Sequence, residues 1–241
     1  MKRHAIFILL LTALFSAQVA TEVEITNEPH HHLTFENQYV RVFNVQVDPN
    51  TQTETHLHRH DYISITLGDA EISNDVVSKP TVTTKLPDGD VRFVSGGFAH
   101  YVRDLGPQPF RNVTIELLQD QALRNSAAAG KFHWDEDRGL DVLNKGTKDI
   151  LFVKDGVRVT EFELQPGGIV PLHHHAGPYL LVAVSDLDIR SDVKSDDPKG
   201  PQGPMPGHFK SGDHKWLPGN YSHTITNIGG QPAKFVTLEF P

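Results

Sequence analysis

Residues 40–47 (VRVFNVQV), 62–67 (YISITL), 113–118 (VTIELL), 157–164 (VRVTEFEL), 180–184 (LLVAV) and 235–240 (FVTLEF) are short runs rich in β-branched and aromatic residues. Most alternate apolar with polar positions. Side chains two apart on a strand share a face, so each run predicts a strand with one buried side. The stretches between them carry DPN, LPDGD, SGG, QPGG and LPGN, the Gly, Pro, Asn and Asp chemistry of tight turns. Many short strands joined by frequent turns predict an all-β barrel or double-sheet jelly roll. Residues 121–147 lack such a pattern, contain a run of small residues, and predict a linker with at most one short helix. Ser191–Lys215, with Pro198, Pro201, Pro204 and Pro206, predicts a solvated loop rather than a lid over a pocket.

The strand pattern occurs twice. An offset of 117 pairs Val40-Arg41-Val42 with Val157-Arg158-Val159, Pro49 with Pro166, Tyr62 with Tyr179 and Ile72 with Ile189. Beyond His100 the offset is 123, and Gly106, Gln108, Pro109, Val113, Thr114 and Glu116 fall on Gly229, Gln231, Pro232, Val236, Thr237 and Glu239. A register held through two blocks points to an internal duplication, the second copy having gained six residues between its blocks. The expected organisation is a leader over 1–20, an N-terminal domain over 21–120, a linker over 121–147 and a C-terminal domain over 148–241.

The leader reading rests on Lys2 and Arg3, an apolar run from Ala5 to Phe15, and small residues after it, with cleavage expected after Ala20 or Ala17. That run is too short to span a bilayer. There is no cysteine, and an exported chain without thiols suits the bacterial periplasm or the extracellular space. Net charge is −8, with no basic stripe, which disfavours nucleic acid and, once the leader is removed, anionic membrane as partners. A small-molecule substrate is the expected partner, and a monomer or a homodimer the expected assembly.

The duplicated block carries histidines: His56, His58 and His100 in one copy, His173, His175 and His223 in the other. Histidines two apart on a strand point together, and a third from a neighbouring antiparallel strand completes a triangular face. Three neutral imidazoles suit a divalent Fe, Mn, Cu, Zn or Ni ion and leave positions open for water, oxygen or substrate. His60 reads as a turn-exposed position rather than an alternative ligand, the run His30-His31-His32 as polar leader to the first strand rather than a metal-capturing tail, and His133, His208 and His214 sit in linker or loop sequence and carry no pattern. Arg41 and Arg158 alternate with valines and point away from them, which favours a structural over a substrate-binding role. Tyr62 and Tyr179 read as aromatic packing against the barrel.

Both halves resemble cupin domains, so the chain is similar to a bicupin. The resemblance rests on Gly167, His173-x-His175, Pro218-Gly219, His223 and Asn227 in the second half, and on His56-x-His58, Asp61, Gly68, His100 and Asp104 in the first, with Asn50 where the motif's glycine falls. It implies two tandem double-stranded β-helix (jelly-roll) barrels. Asp61 stands where a ligating glutamate is usual, and the resemblance makes it a candidate ligand and catalytic residue. Pro178 stands there in the second half, so that site is a three-histidine site or no site. A divalent ion would keep +2 there and +1 beside Asp61. The implied activity is that of a metal-dependent oxidoreductase, a dioxygenase or an oxidase or decarboxylase, acting on a small oxygen-rich substrate. Isomerase or lyase chemistry and a non-catalytic periplasmic binder of a small molecule or metal are the alternatives.

Overall fold

Alternation along Val40–Val47 puts Val40 and Val42 on one face of a strand and Arg41, Phe43, Val45 and Val47 on the other, and both sets are largely buried. The sheet therefore has two covered faces. A computed structural model describes residues 22–120, 126 and 139–241. The expected leader, most of the expected linker, any helix in it and His133 lie outside the described residues.

The first half contains β1 (Val23–Glu24), β2 (His31–Glu36), β3 (Val40–Val47), β4 (His56–His58), β5 (Tyr62–Thr66), β6 (Ala70–Val76), β7 (Val82–Leu86), β8 (Val91–Val94), β9 (Phe98–Asp104) and β10 (Phe110–Leu117). A short 3-10 turn, Ile25–Asn27, follows β1. They form two five-stranded sheets, ordered β1-β4-β9-β6-β7 and β2-β3-β10-β5-β8. The second half contains β11 (Gly139–Lys154), β12 (Val157–His175), β13 (Tyr179–Ala183), β14 (Leu187–Ser195), β15 (Gln202–Phe209), β16 (His214–Leu217), β17 (Tyr221–Asn227) and β18 (Ala233–Glu239). Here β12 does the work of both β3 and β4. Its Arg158–Leu164 segment pairs with β18 and its Ile169–His175 segment with β17, which ties both layers into one sheet.

Two sequence expectations change. Residues 139–147, expected in the linker, are the first part of β11 and pair with β12 from Asn144 onward. The expected loop over 191–215 is largely the hairpin of β14 and β15, in register from Leu187↔Phe209 to Lys194↔Gln202. Pro204 and Pro206 are accommodated because β15 lies at the sheet edge, where a residue without an N–H breaks no ladder on its outer side.

The largest apolar cluster lies between the halves. Val40, Val42, Ile63, Ile65, Val113 and Ile115 of the first meet Val157, Val159, Leu180, Val182, Val236 and Leu238 of the second. Two sheets thus face each other across an apolar seam. The opposite faces of the same strands look into the two barrels, where Phe43, Val45, Val47 and Phe110 line one interior and Phe162, Leu181 and Phe235 the other.

Candidate metal centres

Register brings the histidines together as the spacing predicts. His56 lies directly across from His100 on the β4–β9 ladder, and His173 across from His223 on β12–β17. Cross-strand partners share a face, and His58 and His175, two residues on, share it too. In the second half the Nε2 atoms of His173, His175 and His223 lie 3.1, 3.2 and 2.9 Å apart. Imidazole nitrogens about 2.0–2.1 Å from one ion sit roughly 3 Å apart when their bonds meet near a right angle, so this triangle fits a divalent metal.

The other ring nitrogens are held from behind. His173 Nδ1 lies 2.8 Å from the Pro171 carbonyl, His223 Nδ1 2.7 Å from Ser191 Oγ, and His175 Nδ1 3.4 Å from Glu239 Oε1. The carbonyl places the proton of His173 on Nδ1 and leaves its Nε2 free to ligate, while His175 Nδ1 makes no hydrogen bond. The first half repeats the plan at equivalent positions: His56 Nδ1 to the Glu54 carbonyl (2.9 Å) and His100 Nδ1 to Asn74 Oδ1 (2.8 Å), while His58 Nδ1, 3.8 Å from Glu116 Oε1, makes no hydrogen bond. The Nε2 atoms of His56 and His100 are buried without a hydrogen-bond partner, a cost that a bound cation would relieve. Ring centroids in this triad are 4.6–5.1 Å apart, against 4.5–5.1 Å in the other.

Burial keeps these imidazoles neutral at ordinary pH. It holds His56 and His173 down to about 4 and His100 and His223 down to about 3, neighbouring histidines adding to the effect in each. His58 is lowered for the same reasons. Neutral imidazole is the ligating form.

Asp61 is placed differently from the sequence expectation. Its Oδ1 accepts the Gly96 N–H at 3.0 Å, and it neither joins the histidine cluster nor lines the cavity beside it. The reason is local: a Cβ on Gly96 would stand 2.3 Å from the His60 carbonyl oxygen, so two turns approach closely here and the short carboxylate closes the contact. Each centre does have a carboxylate, one step behind a histidine. Glu116 and Glu239 lie against His58 and His175, and each is held by an arginine, Arg41 Nη1 at 3.0 Å and Arg158 Nη2 at 2.5 Å. The repeat register already paired these glutamates and arginines; what sequence reasoning missed was that their face is the barrel interior. Tyr62 and Tyr179 stack on His58 and His175 with centroids 4.0 Å apart, fixing those rings from the side. His174, His208 and His214 face outward or across the seam, toward Asp196, Asp188 and Thr34.

The cavities beside the two triads differ. That of the first half, about 120 Å³, is lined by His31, His56, His58 and His100 together with Ser64, Thr66, Asn74, Asn112 and Thr114. In the second half Leu181, Ala183 and Phe235 replace Ser64, Thr66 and Asn112, and Phe235 stacks on Phe162 at 4.9 Å. One cavity there, about 110 Å³, is apolar, walled by Met205, Pro206 and Phe209 of the β15 hairpin as well as by His223, and another, about 280 Å³, lies at His173 and His175 and is lined by Asp141, Lys148, Arg158 and Glu239.

No family model and no curated protein matches this sequence. Solved structures do. AerE from Microcystis aeruginosa superposes with a TM-score of 0.62 at 12% identity, over 88% of this chain and 93% of that one. The formate complex of Lactobacillus farciminis oxalate decarboxylase gives 0.61 at 15%, over 90% and 85%. Bacillus subtilis oxalate decarboxylase, a protein with Mn(II) centres, gives 0.60 at 13%, over 90% and 76%. The fold is that of the cupin jelly roll, and two groups of histidines lie close enough together to hold a metal ion.

Proposed function

We propose that this chain is an exported bicupin metalloprotein and a metal-dependent oxidoreductase of the oxidase, dioxygenase or decarboxylase type. Its N-terminal centre is the site of chemistry on a small oxygen-rich acid. One observation carries this reading: all three histidines of the first half line one cavity together with Ser64, Thr66, Asn74, Asn112 and Thr114, whereas those of the second half are divided between an apolar cavity at His223 and a polar one at His173 and His175. At about 30 Å³ per water, 120 Å³ holds roughly four waters, room for a compact acid of few non-hydrogen atoms. A bound Fe or Mn ion supplies Lewis acidity and a redox couple.

The chain's own residues bind and orient. Thr114 donates to Asn112 Oδ1 at 2.7 Å, which turns the amide so that its nitrogen is left to donate to a ligand oxygen, alongside the hydroxyls of Ser64 and Thr66. Arg92 stands at the cavity wall, paired with Asp90, and adds a cation for a carboxylate.

The test is plasma mass spectrometry of the untagged chain, with His56→Ala/His58→Ala and His173→Ala/His175→Ala variants, followed by oxygen-uptake and carbon-dioxide release assays on a panel of small carboxylic acids. Fe or Mn at the first centre, with turnover lost only in the first variant, is the expected result. Chain that takes up no stoichiometric metal after reconstitution with each candidate ion would overturn it.

A further inference from the structure

His31 is the unexpected member of the first centre. The run His30-His31-His32 has the composition of a polar surface stretch, yet His31 is buried, at 9% exposure, on β2 across from Val45. With His56 and His58 it offers a ligand atom in a set lying within 4.8 Å of one another, a set that does not include His100, and its ring centroid is 4.5 Å from that of His56. Its Nδ1 is taken by Glu28 Oε2 at 2.6 Å, which leaves Nε2 as the remaining ring nitrogen, as in the other ligand histidines. Glu28 is itself 2% exposed and is fixed by the backbone N–H groups of His30 and Glu54, 2.8 and 3.0 Å away. A carboxylate buried behind a histidine, anchored by main chain, is the arrangement that orients an imidazole toward a metal.

The duplication supplies an independent comparison. In the second half the equivalent of Val45 is Phe162, and the residue across from it on β11 is Lys148. A lysine ammonium cannot ligate a cation, and Lys148 Nζ instead pairs with Asp141 Oδ2 at 3.2 Å. The halves thus differ at one donor position, on the strand that each lays against the outside of the histidine triangle.

We propose that His31 is a fourth protein ligand of the N-terminal centre, held by Glu28 as positioning residue, so that the chain carries one four-histidine and one three-histidine centre. The proposal rests on the metal-binding reading above. It also gives the segment before β2 a task. β1 pairs in parallel with β4, Val23 beside His56, and the chain from there to His31 is closed onto the centre when His31 ligates.

Zinc alone is the probe, with the histidines labelled with 15N and observed by long-range proton–nitrogen NMR, which reports whether each Nε2 carries a metal. Zinc should shift Nε2 of His31 together with those of His56, His58 and His100. In a His173→Ala/His175→Ala background, where only the first centre is intact, calorimetry should show His31→Ala weakening zinc about 100-fold or more. Glu28→Gln should weaken it about 10–100-fold, as loss of a group orienting a ligand does. Zinc should slow amide exchange over residues 22–31 in the parent but not in His31→Ala. Lys148→His, in a His56→Ala/His58→Ala background, should add a fourth metallated imidazole to the second centre, a gain that misfolding cannot imitate. If zinc shifts the other three histidines while His31 Nε2 stays put, the proposal fails and the metal reading stands. Absence of any zinc-induced shift would overturn both.

Discussion

Arg41→Met isolates the ion pair behind His58. Glu116 is 1% exposed, its Oε2 accepts Arg41 Nη1 at 3.0 Å, and its Oε1 is 3.8 Å from His58 Nδ1. Removing one partner of a buried pair strands the other charge and costs about 3–5 kcal/mol. Arg41 keeps 22% of its side chain exposed, which allows some water to reach the pair and places the expected loss near 3 kcal/mol. Glu116→Gln needs no cation and leaves Arg41 its exposed partner Glu36, at 2.8 Å, so about 1 kcal/mol is expected. The double variant should lose little more than Glu116→Gln alone, because a neutral amide has nothing for the arginine to neutralise. The coupling is then about 2–3 kcal/mol. Urea unfolding at pH 7.5 with chelator, so that no metal contributes, reads all four corners of the cycle. Additive losses within about 0.5 kcal/mol would refute the reasoning and leave Arg41 as a support for Glu36 only.

Chelated protein should lose stability as pH falls below about 6.5. The unfolded histidines then take up protons that folded His56, His173, His100 and His223, held near 3–4, refuse, so the unfolded state binds more protons and the native state weakens down to that range. Thermal melts from pH 8 to 4.5 that show no decline would contradict this. Asp61→Asn should leave metal content unchanged and cost about 1 kcal/mol or less, because the amide oxygen can still accept the Gly96 N–H; metal analysis showing loss from the first centre would return the carboxylate to the ligand set. Phe235→Ala should cost about 3–5 kcal/mol, since Phe235 is fully buried on Phe162; a loss under 1 kcal/mol in urea titration would show that the stack carries little packing.

The strands and six of the histidines were legible because both follow period two, and the duplication confirmed the register twice. What stayed hidden has physical reasons. Alternation tells that Val40 and Val42 face one way and Arg41 the other, but it does not say which face water sees. Here the valine face is the seam and the arginine face is the barrel interior, so Arg41, Glu116, Arg158 and Glu239 sit inside. His31 escaped because its repeat partner is Lys148, and a donor present in one copy only leaves no echo. Asp61 matched a spacing, yet one carbon less of side chain and a tight turn at Gly96 gave its carboxylate another acceptor role. The proline-rich stretch read as loop because prolines break ladders, and an edge strand has a side with no ladder to break.

The two halves kept alike what builds a centre and changed what surrounds it. Three histidines, an arginine–glutamate pair and a stacked tyrosine recur at matching positions, and these set where an ion sits and which ring nitrogen faces it. The differences fall in the barrel interior, where Ser64, Thr66 and Asn112 give way to Leu181, Ala183 and Phe235, and on the strand outside the triangle, where His31 gives way to Lys148. Neither set touches the seam, whose apolar residues must match across both barrels. A wall position can therefore change with local consequences, while a seam position disturbs both halves together. Divergence confined to the barrel interiors lets one scaffold hold two histidine centres with different surroundings without either compromising the fold they share.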